Sequence, residues 1–265
     1  MNCVILIPAR YQSTRYPGKP LVELRGATGT AKPLIQRSVE AARRIAGVSS
    51  VFVTTDDERI AEACTSFGVG VIMTSPECRN GTERCAEAIA QLHDPDLVIN
   101  FQGDALLTPP GFVEALIARM ADDQDALVAT PAMLLRSDEV RALQVEEAAG
   151  CVGGTSVVID TQGRALYFSK RLIPHLPGGT LDTEMSPVRL HVGVYAYRPS
   201  ALERYVATPV TELEMLEGLE QLRFLVAGMP IAVVDVATPP FMLRELNNPE
   251  DVAPIEAALA EAGLE

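Results

Sequence analysis

The stretch Val4-Ile5-Leu6-Ile7-Pro8-Ala9-Arg10-Tyr11-Gln12-Ser13-Thr14-Arg15-Tyr16-Pro17-Gly18-Lys19-Pro20-Leu21 decides how this chain reads. Its apolar, β-branched start predicts a buried strand, and the strand runs without a spacer into a polar loop. Pro8, Pro17 and Pro20 restrict that loop, and Gly18 admits a positive φ. Arg10, Arg15 and Lys19 can therefore converge on a polyanion such as a nucleoside triphosphate. The loop lacks the GxxxxGK(S/T) spacing of a Walker A motif and the GxGxxG of a dinucleotide fold, so both readings fall away. On spacing alone, a basic loop that merely solvates the sheet edge stays open.

The formal net charge of −13 makes this local cluster informative, because the whole-molecule field repels nucleic acid and anionic membranes. Residues 10–19 hold three cations and no carboxylate, which suits a small anionic substrate better than a polymer. Five cysteines, odd in number and without a CxxC pair, argue against a disulfide framework or a structural zinc site, and a reducing cytoplasm fits best. No cationic segment precedes the short N-terminal apolar run and no apolar stretch approaches membrane-spanning length, so an unexported chain is expected. At 265 residues a single domain is expected over 1–265, with a smaller subdomain at about 151–210.

Working outward, strand patterns at 4–8, 51–54, 70–73, 97–101 and 126–131 alternate with helical patterns near 33–46, 57–67, 82–92 and 110–121. Such βαβ alternation predicts an α/β fold, a mostly parallel doubly wound sheet with ligands at the carboxyl ends of its strands. The residues after the strands are then the ones that matter: the cationic loop, Thr54-Thr55-Asp56-Asp57, and Gln102-Gly103-Asp104. Asp56 is either a ligand or a helix cap, and Asp104 either a metal ligand or a turn residue. From about 151 the pattern changes to short extended runs at 155–160, 165–169 and 191–198, interrupted by a Gly/Pro-rich loop at 174–179. Helices at 200–207 and 212–228, a strand at 231–236 and a final helix from 249 complete the reading.

The opening loop resembles the IPARYxSxRxPGKPL start of the sugar-nucleotide cytidylyltransferases, in particular the CMP-KDO synthetase (3-deoxy-manno-octulosonate cytidylyltransferase) family. Five further blocks follow in register. Asn80-Gly81-Thr82-Glu83-Arg84 is similar to SGT(D/E)R, residues 98–104 to VNVQGDE, and residues 166–170 to LYFSR. Residues 191–198 are similar to HxGIYAYR, and residues 216–223 to LExLEQLR.

The resemblance implies a nucleotide-diphospho-sugar transferase-like, Rossmann-like fold with a small dimerisation and lid region. It implies transfer of CMP from CTP to an acidic sugar, with Mg²⁺ as cofactor and a homodimer as the assembly. Catalysis falls to Lys19, Arg15 and Asp104. Nucleotide binding falls to Pro8, Ala9, Arg10, Ser13, Lys19, Asn80, Gly81, Thr82, Arg84 and Gln102. Sugar contacts fall to Gln102, Lys170, His191, Tyr195, Glu220 and Gln221. Without the resemblance, His191 reads as a satisfied structural group, while Glu220 stays open between a ligand contact and part of an acidic solvated helix face with Glu212, Glu214 and Glu217.

Four departures bear on the chemistry. Ala105 replaces the Glu after QGD, Cys78-Arg79-Asn80 replaces HxS, and Lys170 replaces an arginine, losing its planar fork. The family's VDTPEDL aligns with residues 246–252, so its second metal ligand, an Asp, is Asn247 here. Asp235 and Glu245 are the carboxylates available to substitute. These changes leave room for the same reaction on an amino-substituted KDO or a nonulosonic acid, or for a nucleotide-binding homologue with little catalysis.

Overall fold

The computed structural model describes residues 1–13, 15–241 and 243–265; Thr14 of the cationic loop and Met242 lie outside the described residues. In chain order the strands are β1 (Cys3–Pro8), β2 (Glu23–Arg25), β3 (Ala31–Pro33), β4 (Ser50–Thr55), β5 (Gly70–Met73), β6 (Leu97–Phe101), β7 (Val128–Arg136), β8 (Ser156–Ile159), β9 (Ala165–Ser169), β10 (Met185–His191), β11 (Val194–Tyr197) and β12 (Ile231–Val236). The helices are α1 (Leu34–Ala42), α2 (Glu58–Ser66), α3 (Gly81–Ile89), α4 (Pro110–Asp122), α5 (Ser137–Ala148), α6 (Pro199–Ala207), α7 (Glu212–Glu217), α8 (Leu222–Val226) and α9 (Val252–Glu261).

All strands but the β2–β3 hairpin join one ten-stranded sheet ordered β5-β4-β1-β6-β11-β7-β10-β8-β9, with β12 beside β7. Pairing from β5 through β4 and β1 to β6 is parallel. β11 enters antiparallel between β6 and β7, while β12 returns parallel to β7. The strand directions give a mixed sheet of mostly parallel strands, as the βαβ alternation predicts.

The period of two along β1 divides the interior. Cys3, Ile5 and Ile7 join one core with Val39 of α1, Ile60 of α2 and Leu116 of α4. Val4 and Leu6 join the other with Cys85 of α3, Leu202 of α6 and Phe224 of α8. Each fully buried aliphatic side chain contributes about 1.5–3 kcal/mol, so both faces of β1 resist opening and the loop after it starts from a fixed point.

Three elements differ from the sequence expectation. β7 runs on to Arg136 and passes straight into α5, which has only Ser137 and Val140 buried and therefore shows almost no apolar period. Residues 212–228 are not one helix. Gly218, with φ of +61°, ends α7 in the left-handed region, and α8 starts afresh four residues later. The run 191–198 bends at Val192-Gly193, which separates β10 from β11. Residues 151–210 supply β8, β9, β10, β11 and α6 to the same sheet and its cover.

Candidate active site

The carboxyl ends of β1 and β6 open into one cleft of about 730 Å³. Pro8, Ala9, Arg10, Ser13, Arg15 and Lys19 form the wall built by the first loop. Opposite them, the start of α3 brings Asn80, Gly81 and Arg84, and the segment after β6 brings Gln102 and Asp104. Because β11 pairs antiparallel with β6, with Val194 opposite Phe101, the preceding His191 and the following Tyr195 also reach the cleft. The break at Gly218 turns Glu220 and Gln221 into the same space. Leu246 is pinned in a small core with Leu24, Leu106 and Leu259, and its neighbours Glu245 and Asn247 line the cleft.

Two predicted residues stand apart. Thr82 lies behind the cleft wall, fully buried, its hydroxyl 3.0 Å from the Tyr197 hydroxyl and its N–H donating to Glu220 Oε2 at 3.3 Å. Lys170 is exposed and does not line the cleft; its ammonium lies 2.8 Å from where a Cβ on Gly218 would stand.

Lys19 Nζ donates to Asp104 Oδ2 at 2.5 Å, and Arg15 Nη2 donates to Asn247 Oδ1 at 2.8 Å. The predicted catalytic cation and the candidate metal ligand thus pair with each other in the free site. Arg84 is 3% exposed and is aimed by Asp56 at 3.3 Å and by Thr74 Oγ1 at 2.5 Å. Of the two acidic residues after β4, Asp57 is the helix cap and Asp56 the partner of a cleft arginine.

Glu245 Oε1 lies 3.9 Å, and Gln102 Cγ 4.0 Å, from the point where a Cβ on Gly193 would stand, which places Glu245 beside the segment after β6. The neighbouring Asp104 carboxylate, and then desolvation between the cleft walls, raise its pKa to about 7, although the side chain stays open to solvent at the cleft mouth. Asp235 stands elsewhere, exposed and held by Arg189 at 2.7 and 2.9 Å. No cluster of three or more His, Cys, Asp and Glu side chains suited to a metal occurs among the described residues. The pair Asp104 and Glu245 with the Asn247 amide is nonetheless the kind of donor set that suits Mg²⁺, which takes one or two carboxylates and completes its shell with phosphates and water.

The sugar-side expectations divide by environment. His191 bonds Thr130 Oγ1 at 2.9 Å through Nε2 and stands edge-on to Phe168, and burial pushes its pKa down to about 3, so it is a neutral donor or acceptor at the cleft wall. Glu220 is no solvated face residue: burial raises its carboxyl to about 7. Glu214 is likewise buried, against Arg223. Gln221 is 2% exposed and its Nε2 has no partner among the described residues, a donor left for a ligand. Asn100, which the sequence reading passed over, accepts from Gln102 Nε2 at 3.3 Å, while its own Nδ2 is buried without a partner among the described residues. Its signal was available: an amide inside an otherwise apolar strand, two residues before Gln102 and on the same face.

The profile of the cytidylyltransferase family matches residues 4–231. The 3-deoxy-manno-octulosonate cytidylyltransferase of Maricaulis maris is 39% identical over 264 residues, 99% of each chain. The 8-amino-3,8-dideoxy-manno-octulosonate cytidylyltransferase of Shewanella baltica is 40% identical over 263 residues, 98% of this chain and 99% of that one. A solved CMP:2-keto-3-deoxy-manno-octonic acid synthetase complexed with CTP superposes with a TM-score of 0.84 at 35% identity, covering 99% of this chain and 100% of that one. With six motif blocks in register and a full-length match in sequence and fold, this chain belongs to the CMP-KDO synthetase family of cytidylyltransferases and is a nucleotidyltransferase.

Proposed function

We propose that the protein transfers CMP from CTP to the anomeric hydroxyl of KDO or its 8-amino relative, releasing pyrophosphate, for surface polysaccharide synthesis. One observation carries the reading: a cleft with Arg10, Arg15 and Lys19 on one wall and the amides of Gln102 and Gln221 on the other. The first wall suits a triphosphate and the second a polyhydroxylated acid. As the sugar oxygen bonds to the α-phosphorus, the hydroxyl proton is lost and the bond to the β-phosphate bridging oxygen breaks. Lys19 and Arg15 offset the charge that grows on the leaving pyrophosphate, and Arg10 supports them.

Asp104 and Glu245, with Asn247, would hold Mg²⁺, which when bound draws charge from the phosphates. Glu245 takes the part of the carboxylate that Asn247 lacks. In this reading the chain acts as a homodimer in the cytoplasm; Leu213, Met215 and Leu216 on α7 are exposed apolar side chains that an assembly of that kind would cover. Sedimentation checks the dimer.

The test is pyrophosphate release from CTP with Mg²⁺ and a panel of KDO, 8-amino-KDO and a nonulosonic acid. Turnover with one of the first two is expected. Tight CTP binding without turnover on any sugar would overturn the reading in favour of a binding protein.

A further inference from the structure

Tyr11 is the pivot of the cationic loop. Its carbonyl accepts from Ser13 N at 3.1 Å and from Gly18 N at 2.8 Å, which brings Gly18 back beside Tyr11. Its ring packs on the core and against Gly18, where a Cβ would stand 3.1 Å from the ring and where φ is +74°. The next residue is Lys19. Whatever fixes the Tyr11 ring therefore fixes the loop that carries Arg10, Arg15 and Lys19.

The ring is fixed from outside the cleft. The Arg59 guanidinium sits 3.3 Å over the Tyr11 centroid. Asp57 in turn holds that guanidinium with both oxygens, accepting from Nε at 2.9 Å and Nη2 at 2.6 Å. Asp57 also caps α2, accepting from Arg59 N at 3.0 Å, so the pair is tied to the first turn of that helix. Neither Arg59 nor Asp57 lines the cleft. An arginine fixed bidentately over an aromatic face is a stiff plate with little rotamer freedom left to lose.

We propose that Arg59, held by Asp57, is a positioning residue that clamps Tyr11 and so sets the phosphate-binding loop for CTP before the nucleotide arrives. The proposal rests on the cytidylyltransferase reading for the identity of the anion, and the loop geometry stands without it. A preformed loop spares the nucleotide the cost of ordering it. Removing the plate leaves every group that touches phosphate in place but unconstrained.

The test compares the wild type with Arg59→Ala, Arg59→Lys and Asp57→Asn, using hydrogen exchange of the Ser13 and Gly18 amides and calorimetric titration of CTP with Mg²⁺ present throughout. Asp57→Asn is the telling control, since Asn caps a helix as well as Asp but cannot grip the guanidinium as an anion. Arg59→Ala is expected to speed exchange at both amides and weaken CTP binding roughly 3- to 30-fold, the span of a cation–π contact of this kind. The KM for the sugar should stay put. Arg59→Lys should recover part of the loss, and Asp57→Asn should fall between the two. In a Tyr11→Leu background, Arg59→Ala should add nothing.

Exchange at Gly18 unchanged in Arg59→Ala, or effects of Tyr11→Leu and Arg59→Ala that simply add, would overturn the clamp. A wild type that binds no CTP would sink the functional reading instead, and the exchange rates would still decide the clamp.

Discussion

Lys19 and Arg15 were pointed to by the family resemblance, because the basic loop by itself left a merely solvated sheet edge open, and the structure places both on the cleft wall. Lys19→Ala and Arg15→Ala are each expected to lower kcat by about 10²- to 10³-fold, the loss seen when one donor to a developing oxyanion is removed. Their melting temperatures should stay near wild type, because both side chains lie at the cleft surface. Glu245 was legible only as one of two candidates, and what separates it from Asp235 is tertiary: the Leu246 core turns it into the cleft, while Arg189 holds Asp235 away. Glu245→Gln should raise the Mg²⁺ concentration for half-maximal pyrophosphate release at least about tenfold, Asp235→Asn should leave it unchanged, and Asn247→Asp should lower it. Loss of Mg²⁺ response in Asp235→Asn alone would reverse that assignment. Lys170 shows the limit of block matching, since a position inside a matching motif lies outside the cleft.

At the scale of elements, the α7–α8 corner is where sequence patterning failed and why is clear. Leu213, Met215, Leu216, Leu219 and Leu222 keep a helix-like apolar spacing across the break, and one glycine among them looks tolerable. The corner is held by charges no period reveals. Arg223, 1% exposed, donates to Glu214 at 2.7 and 2.5 Å and to Glu83 at 3.1 Å, with its guanidinium 4.0 Å from the Tyr205 ring. Those bonds join α7, α8 and α3, the elements that present Glu220, Gln221 and Asn80. Glu214→Leu, which leaves that arginine half-paired, should cost about 3–5 kcal/mol in denaturant unfolding. Gly218→Ala should cost about 1–2 kcal/mol from its left-handed backbone, with the exposed Lys170 side chain free to swing clear of the new methyl group. A cost near zero for Gly218→Ala would mean that the corner relaxes into a continuous helix.

For the whole molecule, two half-buried groups set opposing pH slopes. Glu220, raised from 4.5 to about 7, holds its proton more tightly folded than unfolded, so it subtracts stability as pH rises through that window. His191, lowered from 6.5 to about 3, is protonated more readily unfolded, so it subtracts stability as pH falls through its own. The two offset each other between about 4.5 and 6.5. Glu220→Gln should therefore become steadily more stable than wild type from pH 5 to pH 8 in parallel thermal melts, and a constant difference would show that Glu220 is ionised throughout. The Lys19–Asp104 contact reaches further still. At rest the foremost cation of the site is already spoken for, held by Asp104. An anion that draws Lys19 away strands Asp104 without a counter-charge, and only a cation arriving with the anion restores the balance. The lone nucleotide and the lone metal ion should each bind poorly, and together they should bind well. On the proposed Mg²⁺-dependent reading, the contact would make the cleft a coincidence detector for nucleotide and metal.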